Sequence, residues 1–138
     1  MATFNKFNQF IGDAGLGVHN LNTGTLKVAL TNTAPVATNT ILANITQVGA
    51  GNGYTAGGTA VGSVAYSQTT GTGTLSGNDV VFTASGAVGP FRYAVLYNDT
   101  PTSPADPLIG WWDYASSISL ANGETFTVDF GASILTLA

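Results

Sequence analysis

Two apolar, aromatic-rich runs with a proline-punctuated stretch between them constrain this chain most. Phe91–Tyr97 and Leu108–Tyr114 flank a segment of Asn, Asp and Thr that also carries Pro101, Pro104 and Pro107. Between Phe91 and Tyr114 lie six of the fourteen aromatic residues: Phe91, Tyr93, Tyr97, Trp111, Trp112 and Tyr114. Runs of β-branched and aromatic residues bounded by turn formers read as antiparallel strands joined by a loop. Strand alternation puts Phe91, Tyr93, Val95 and Tyr97 on one face and Ala94 and Leu96 on the other, beside Arg92. A strand apolar on both faces belongs in the middle of a covered sheet. The expected structural core is therefore Phe91, Tyr93, Val95, Tyr97, Trp111, Trp112 and Tyr114. A near-symmetric hairpin register brings Arg92 opposite Trp112 or Asp113. A buried Arg needs a partner, so an Arg92–Asp113 ion pair is expected, with stacking of Arg92 on Trp as an addition.

The 138 residues suit one domain with a sizeable core. Only 7% of them are charged, against roughly 25% in ordinary soluble domains. Three cations, Lys6, Lys27 and Arg92, cannot form the clustered basic footprint that nucleic acid requires. The net charge of −4 also argues against anionic membranes. Polarity comes instead from Thr, Asn, Ser and eighteen Gly. A surface poor in dispersed charge is less protected against association. This favours coverage by further copies of the chain or by a partner over a Thr-rich monomer. Cysteine is absent, so packing or assembly must supply the stability. No apolar run reaches transmembrane length, and the N-terminus lacks a signal peptide's apolar region; synthesis in a host cytoplasm is the expectation.

Taken in order, Thr3 is a candidate cap for a short helix bearing Phe4, Phe7 and Phe10/Ile11 at helical spacing, limited by Gly12, Gly15 and Gly17. Residues 1–20 thus form either a helix packed on the chain's own sheet or an arm that docks Phe4, Phe7 and Phe10 onto a neighbour. The β-sandwich proper would span residues 21–138. Thr25–Thr31 alternates as a half-buried strand, and Ile41–Val48 is strand or short helix. Gly49–Gly77 contains short strand candidates at Val61–Tyr66 and Thr72–Leu75. It lacks the Gly-Lys-Ser/Thr of a phosphate loop and the strand–turn–helix setting of a dinucleotide fingerprint. An ordered loop lying against another subunit is the favoured reading. Asp79–Ala84, Ser116–Leu120, Glu124–Phe130 and Ile134–Leu137 complete the strands, with Asn122-Gly123 as a turn. Many short strands separated by turn signals predict a mainly β chain: an antiparallel β-sandwich or jelly-roll-like barrel with one short N-terminal helix.

Catalytic signals are weak. The single histidine, His19, has no cysteine companions for a metal site and no nucleophile elbow nearby. A glycosidase would need two of the seven carboxylates across a cleft, with the aromatics near Asp113 stacking on sugar; core and interface roles suit those aromatics better. No enzyme activity, cofactor, metal or nucleic-acid partner is expected.

The segments TFNKFNQF, GVHNL, LKVALTNTAPVATNTILANIT, GNGYTAGG, FTASG, GPFRYAVLYNDT, PLIGWWDY and GETFTVDF together resemble a family of small virion proteins encoded among the structural genes of tailed bacteriophages. The stretch Gly57–Gly77 matches least. The resemblance implies a capsid decoration, or cement, protein on the outer surface of the phage head. Its partners would be the major capsid protein and further copies of itself, as trimers or dimers. The alternative is a tail component: tail tube, baseplate or fibre-associated protein. A carbohydrate-binding or depolymerase module is a third class, and it would need Trp111 and Trp112 exposed in a groove.

Overall fold

The computed structural model describes residues 2–138. The chain is mainly β, with several antiparallel sheets, one short helix and a β-sandwich-like arrangement. Its frame is the long hairpin of β7 (Val88–Asn98) and β8 (Leu108–Leu120). The second arm continues through the residues expected to form a separate strand at Ser116–Leu120, because Ile118 and Leu120 still pair with Phe91 and Val88. β7 is the middle strand of five. β2 (Leu26–Thr31) and the two-residue β3 (Thr59–Ala60) lie on one side of it, β8 and β1 (Thr3–Lys6) on the other, in the order β1-β8-β7-β2-β3.

Each face of this sheet is covered. On one face Leu26, Val28, Leu30, Ala94, Leu96, Ile109 and Trp112 meet a second layer. That layer holds β4 (Ala65–Thr69), β5 (Thr72–Ser76) and β10 (Leu135–Leu137), plus the pair β6 (Val80–Thr83) and β9 (Thr125–Val128). Leu75, Val80, Phe82, Val128 and Phe130 are its contribution to the core. On the other face Ala29, Val95, Tyr97 and Leu108 are covered by Phe7 and by Leu42 and Ile45; Leu42 opens a 3-10 turn at Leu42–Asn44 and Ile45 follows it. Ile41–Val48 thus resolves into a short helical turn rather than a strand.

One expected face needs correction. The pairing of β7 with β8 shifts register between Phe91 and Tyr93. A bulge of this kind changes the alternation, so Phe91 joins the cluster of Ala94 and Leu96, whereas Val95 and Tyr97 belong to the opposite one.

The N-terminal reading also changes. Thr3–Lys6 is a strand paired antiparallel to β8, and only Asn8–Gly15 (α1) is helical. Of the expected arm 1–20, residues 2–20 are therefore not separate from a sandwich of 21–138, and Met1 lies outside the described residues. Period-2 alternation splits the phenylalanines: Phe4 packs toward Trp112, while Phe7 turns to the opposite cluster. Phe10 on α1 returns to the first cluster. Phe7 and Phe10 have no exposed surface, so they cannot form a stripe that docks onto a neighbour.

The glycine-rich segment likewise packs on its own chain. At Gly58, φ is +80° and a Cβ would run into the Val28 carbonyl; only glycine permits so close a backbone crossing. The Tyr54 hydroxyl accepts from Leu30 N–H (3.1 Å) and donates to Gln47 Oε1 (2.7 Å), which also receives Gly57 N–H (2.8 Å). The Tyr97 hydroxyl donates to Gly57 O (2.5 Å). Val48 N–H and Val61 N–H reach Leu30 O and Leu26 O. Residues 47–61 thus close the outer edge of β2 within the chain, while Gly49–Gly53, Thr55, Ala56, Thr59 and Ala60 stay exposed.

Replacing Phe7 with Ala empties a fully buried aromatic site and is expected to cost about 3–5 kcal/mol, read from the urea unfolding of the isolated chain. An unchanged midpoint would mean that this side chain is buried only in an assembly.

Candidate functional site

Because β1 extends the sheet past β8, a groove of about 370 Å³ opens where Phe4 and Trp112 face the end of β9. Its walls include Phe4, Trp112, Tyr114 and Phe130, and Asp129, Thr127 and Ser133 supply polar groups. Phe4 and Phe130 both lean on Trp112, with ring centroids 5.0 and 5.4 Å away. A Cβ at Gly110 would collide with the Phe4 ring, so the glycine of PLIGWWDY is what lets that ring lie over the strand. Burial, with the Asp129 charge in addition, pushes the Tyr114 hydroxyl up to about 12; it stays a neutral donor at physiological pH. Asp129 Oδ1 accepts Gly131 N–H (2.8 Å), and the residue is exposed.

Trp111 and Trp112 do not form an exposed pair. As neighbours on a strand they point to opposite faces: Trp112 is buried in one cluster, and Trp111 lies against Phe7 (4.6 Å) beside the other. The feature that a carbohydrate module would have required is therefore missing.

Arg92 and Asp113 meet across the bulge. Nε donates to Oδ1 (2.8 Å) and a terminal nitrogen to Oδ2 (3.1 Å), a bidentate fork. Asp113 Oδ1 also accepts Ala115 N–H (2.8 Å), where φ is +71°, so the carboxylate holds the irregular turn of β8. The pair is half-exposed rather than buried, with side chains 38% and 33% accessible. Arg92 sits over the Tyr93 ring (5.4 Å), not over a Trp, because the bulge leaves it outside the Ala94–Trp112 register. The hydrogen bonds from Arg92 hold Asp113 below the usual carboxylate range.

A second hollow, of about 460 Å³, is lined by His19, Asn22 and Tyr66 among others. Asn98 Oδ1 accepts Thr100 N–H (3.1 Å), so its amide nitrogen faces His19 Nδ1 (3.1 Å). Nδ1 is then an acceptor, and the ring proton sits on Nε2. Burial lowers the His19 pKa from its ordinary 6.5, while the Asp13 charge works against the drop. Nε2 and Asp13 Oδ2 are both buried without a hydrogen-bond partner.

The other carboxylates serve the fold. Asp79 accepts Phe130 N–H (2.9 Å) and Glu124 caps the Asn-Gly turn at Ala121 N–H (2.7 Å). Asp99 pairs with Lys27 (3.0 Å). Beside it, Asp106 is raised first by burial and then by the neighbouring Asp99 carboxylate. Burial, then the charges of Asp99 and Asp106, lift the Tyr97 hydroxyl far above its ordinary value. Among the described residues no group of three or more His, Asp or Glu side chains converges on a metal position. The groove around Asp129 and the His19–Asn98 contact were not anticipated from sequence. Asp129 falls on the outward face of an alternating strand, which gives no hint that it borders an aromatic hollow.

No protein-family model, no curated protein and no solved structure matches this chain.

Two pH-dependent outcomes follow. Asp113 ionises more readily in the fold than in the unfolded chain. Its contribution is present above about pH 4 and is lost as the pH falls through the depressed value. Arg92→Met should lower the urea midpoint at pH 7, and the difference from wild type should shrink as the pH is taken below the depressed value. For His19 the folded state binds its proton less readily than the unfolded chain. Its contribution is full above 6.5 and declines as pH falls below it. The wild-type melting temperature should drop between pH 7 and 5, and His19→Gln should flatten that part of the profile. A parallel pH profile in the variant would contradict this assignment.

Proposed function

We propose that this chain is a structural protein of a tailed-bacteriophage virion that decorates the outside of the head lattice. The observation that carries the reading is the surface. Lys27 and Arg92 are engaged within the chain by Asp99 and Asp113, which leaves few free charges outside. Exposed positions are instead Thr, Ser, Asn, Gln and Gly, as along β4, with large apolar side chains among them: Leu16 is 80% and Ile11 54% accessible. A neutral surface of hydroxyls, amides and scattered apolar groups desolvates without uncompensated charge, and it suits wet, polar contacts with the major capsid protein and with further copies. Repetition over a lattice makes many weak contacts strong by multivalency. The closely packed core beneath, anchored by Phe7, Phe10 and Phe91, gives such contacts a rigid base. The resemblance to small phage virion proteins points the same way.

The test is to add the purified chain to expanded heads that lack it and to follow both co-sedimentation and DNA release on heating. Saturable binding with a higher release temperature is expected. Binding to isolated tails and not to heads would move the protein to the tail.

A further inference from the structure

The two edges of the five-stranded sheet are treated differently. Residues 47–61, which include the two-residue edge strand β3, cover β2, whereas the other edge is the four-residue β1, with no strand outside it. The pairing pattern shows which groups are left over. Phe7 N–H donates to Ile109 O (3.1 Å), in the same register that sets Asn5 opposite Trp111 and Thr3 opposite Asp113. The odd-numbered residues therefore turn their backbone groups inward to β8. Antiparallel alternation leaves the N–H and C=O of Phe4 and Lys6 facing outward.

The same edge carries a charge mismatch. Lys6 is the one cation with no ion pair among the described residues, since Lys27 and Arg92 are taken. It is exposed and, two residues from Phe4, shares the face on which Phe4 meets Trp112. That face holds the groove with Asp129, a carboxylate that also has no cationic partner. Lys6 lies at the other end of β1 from Ala2, which helps line the groove. Within one chain the two charges are thus set apart along the strand.

We propose that the free edge of β1 pairs with β1 of a second copy of this chain, antiparallel about a twofold axis, and that Lys6 of each copy enters the aromatic groove of the other. Of the registers that the hydrogen-bonding groups of Phe4 and Lys6 allow, two set Lys6 against the groove end of the partner strand: Asn5 on the axis with Lys6 opposite Phe4, or Phe4 on the axis with Lys6 opposite Ala2. Either one brings the ammonium of the second copy to the mouth of the groove. There Phe4 and Tyr114 offer ring surface for a cation–π contact and Asp129 the counter-charge. The twofold makes the contact isologous, so both unpaired cations and both unpaired carboxylates find partners. The site is incomplete without the second copy, which supplies its cation. The proposal does not depend on a place in the head, and it is tested without capsids.

The experiment is sedimentation velocity of the full chain over a concentration series, with four variants. The wild type should form a dimer. Lys6→Glu and Asp129→Lys should each raise the dimer dissociation constant by about tenfold or more, and the double exchange should recover most of that loss. Lys6→Pro removes an outward N–H that no bond within the chain uses; it should abolish the dimer while far-UV circular dichroism stays unchanged. A wild type that remains monomeric up to about 100 μM, a dimer indifferent to Lys6→Glu, or a double exchange that recovers nothing would overturn the proposal.

Discussion

The pairing of β7 on both sides, with an apolar layer over each face, is the constraint from which the remaining structure follows. Tyr93–Asn98 is buried throughout, so its backbone groups have only β2 and β8 to bond with. A buried strand left unpaired would forfeit on the order of 1–3 kcal/mol per stranded polar group. Both neighbours must therefore form. Once they do, each apolar face has to be covered by something the same chain supplies. The small sheets cover one face, and Phe7 with the 3-10 turn covers the other.

Irregularity is concentrated where this frame meets its exposed end. The bulge near Phe91 and the left-handed Ala115 interrupt the regular hairpin, and the Arg92–Asp113 fork spans the interruption. A half-exposed ion pair contributes little to stability by itself. Its effect here is geometric, because one carboxylate accepts from Arg92 and from Ala115 N–H together. The sheet edge at β1, by contrast, is short and carries Lys6, which is how single sheets commonly limit uncontrolled pairing. A short, charged edge, with the Asp129 carboxylate in the groove on the same face, narrows the ways in which that edge can pair.

The hairpin and the mainly β class were legible in the sequence because alternation and proline placement are local signals. What was not legible depends on pairing. Phe4, Phe7 and Phe10 fit a helical period, yet the first of them lies on a strand, because pairing with β8 outweighs the weak helix preference of TFNK, a propensity that tertiary context readily overrides. The face of Phe91 could not be assigned, since nothing in FRYAV signals a bulge. The glycines of Gly49–Gly77 read as part of a loop lying against another subunit. At Gly53 and Gly58 the lack of a side chain brings backbone against backbone within the chain, something no local pattern signals. The Arg92–Asp113 contact could be foreseen, because a lone cation in an apolar strand has few partners within reach. The Asp129 groove could not, as it joins segments more than a hundred residues apart in sequence.

On the proposed reading, a closely packed core carries a surface that contacts other subunits on a phage head. The most direct measurement is a cryo-electron microscopy reconstruction of the intact virion at a resolution that separates strands. The account predicts copies of this five-stranded sheet on the outer face of the head lattice, resting on the major capsid protein. Finding the fold only in the tail, or no density for it anywhere in the particle, would contradict it.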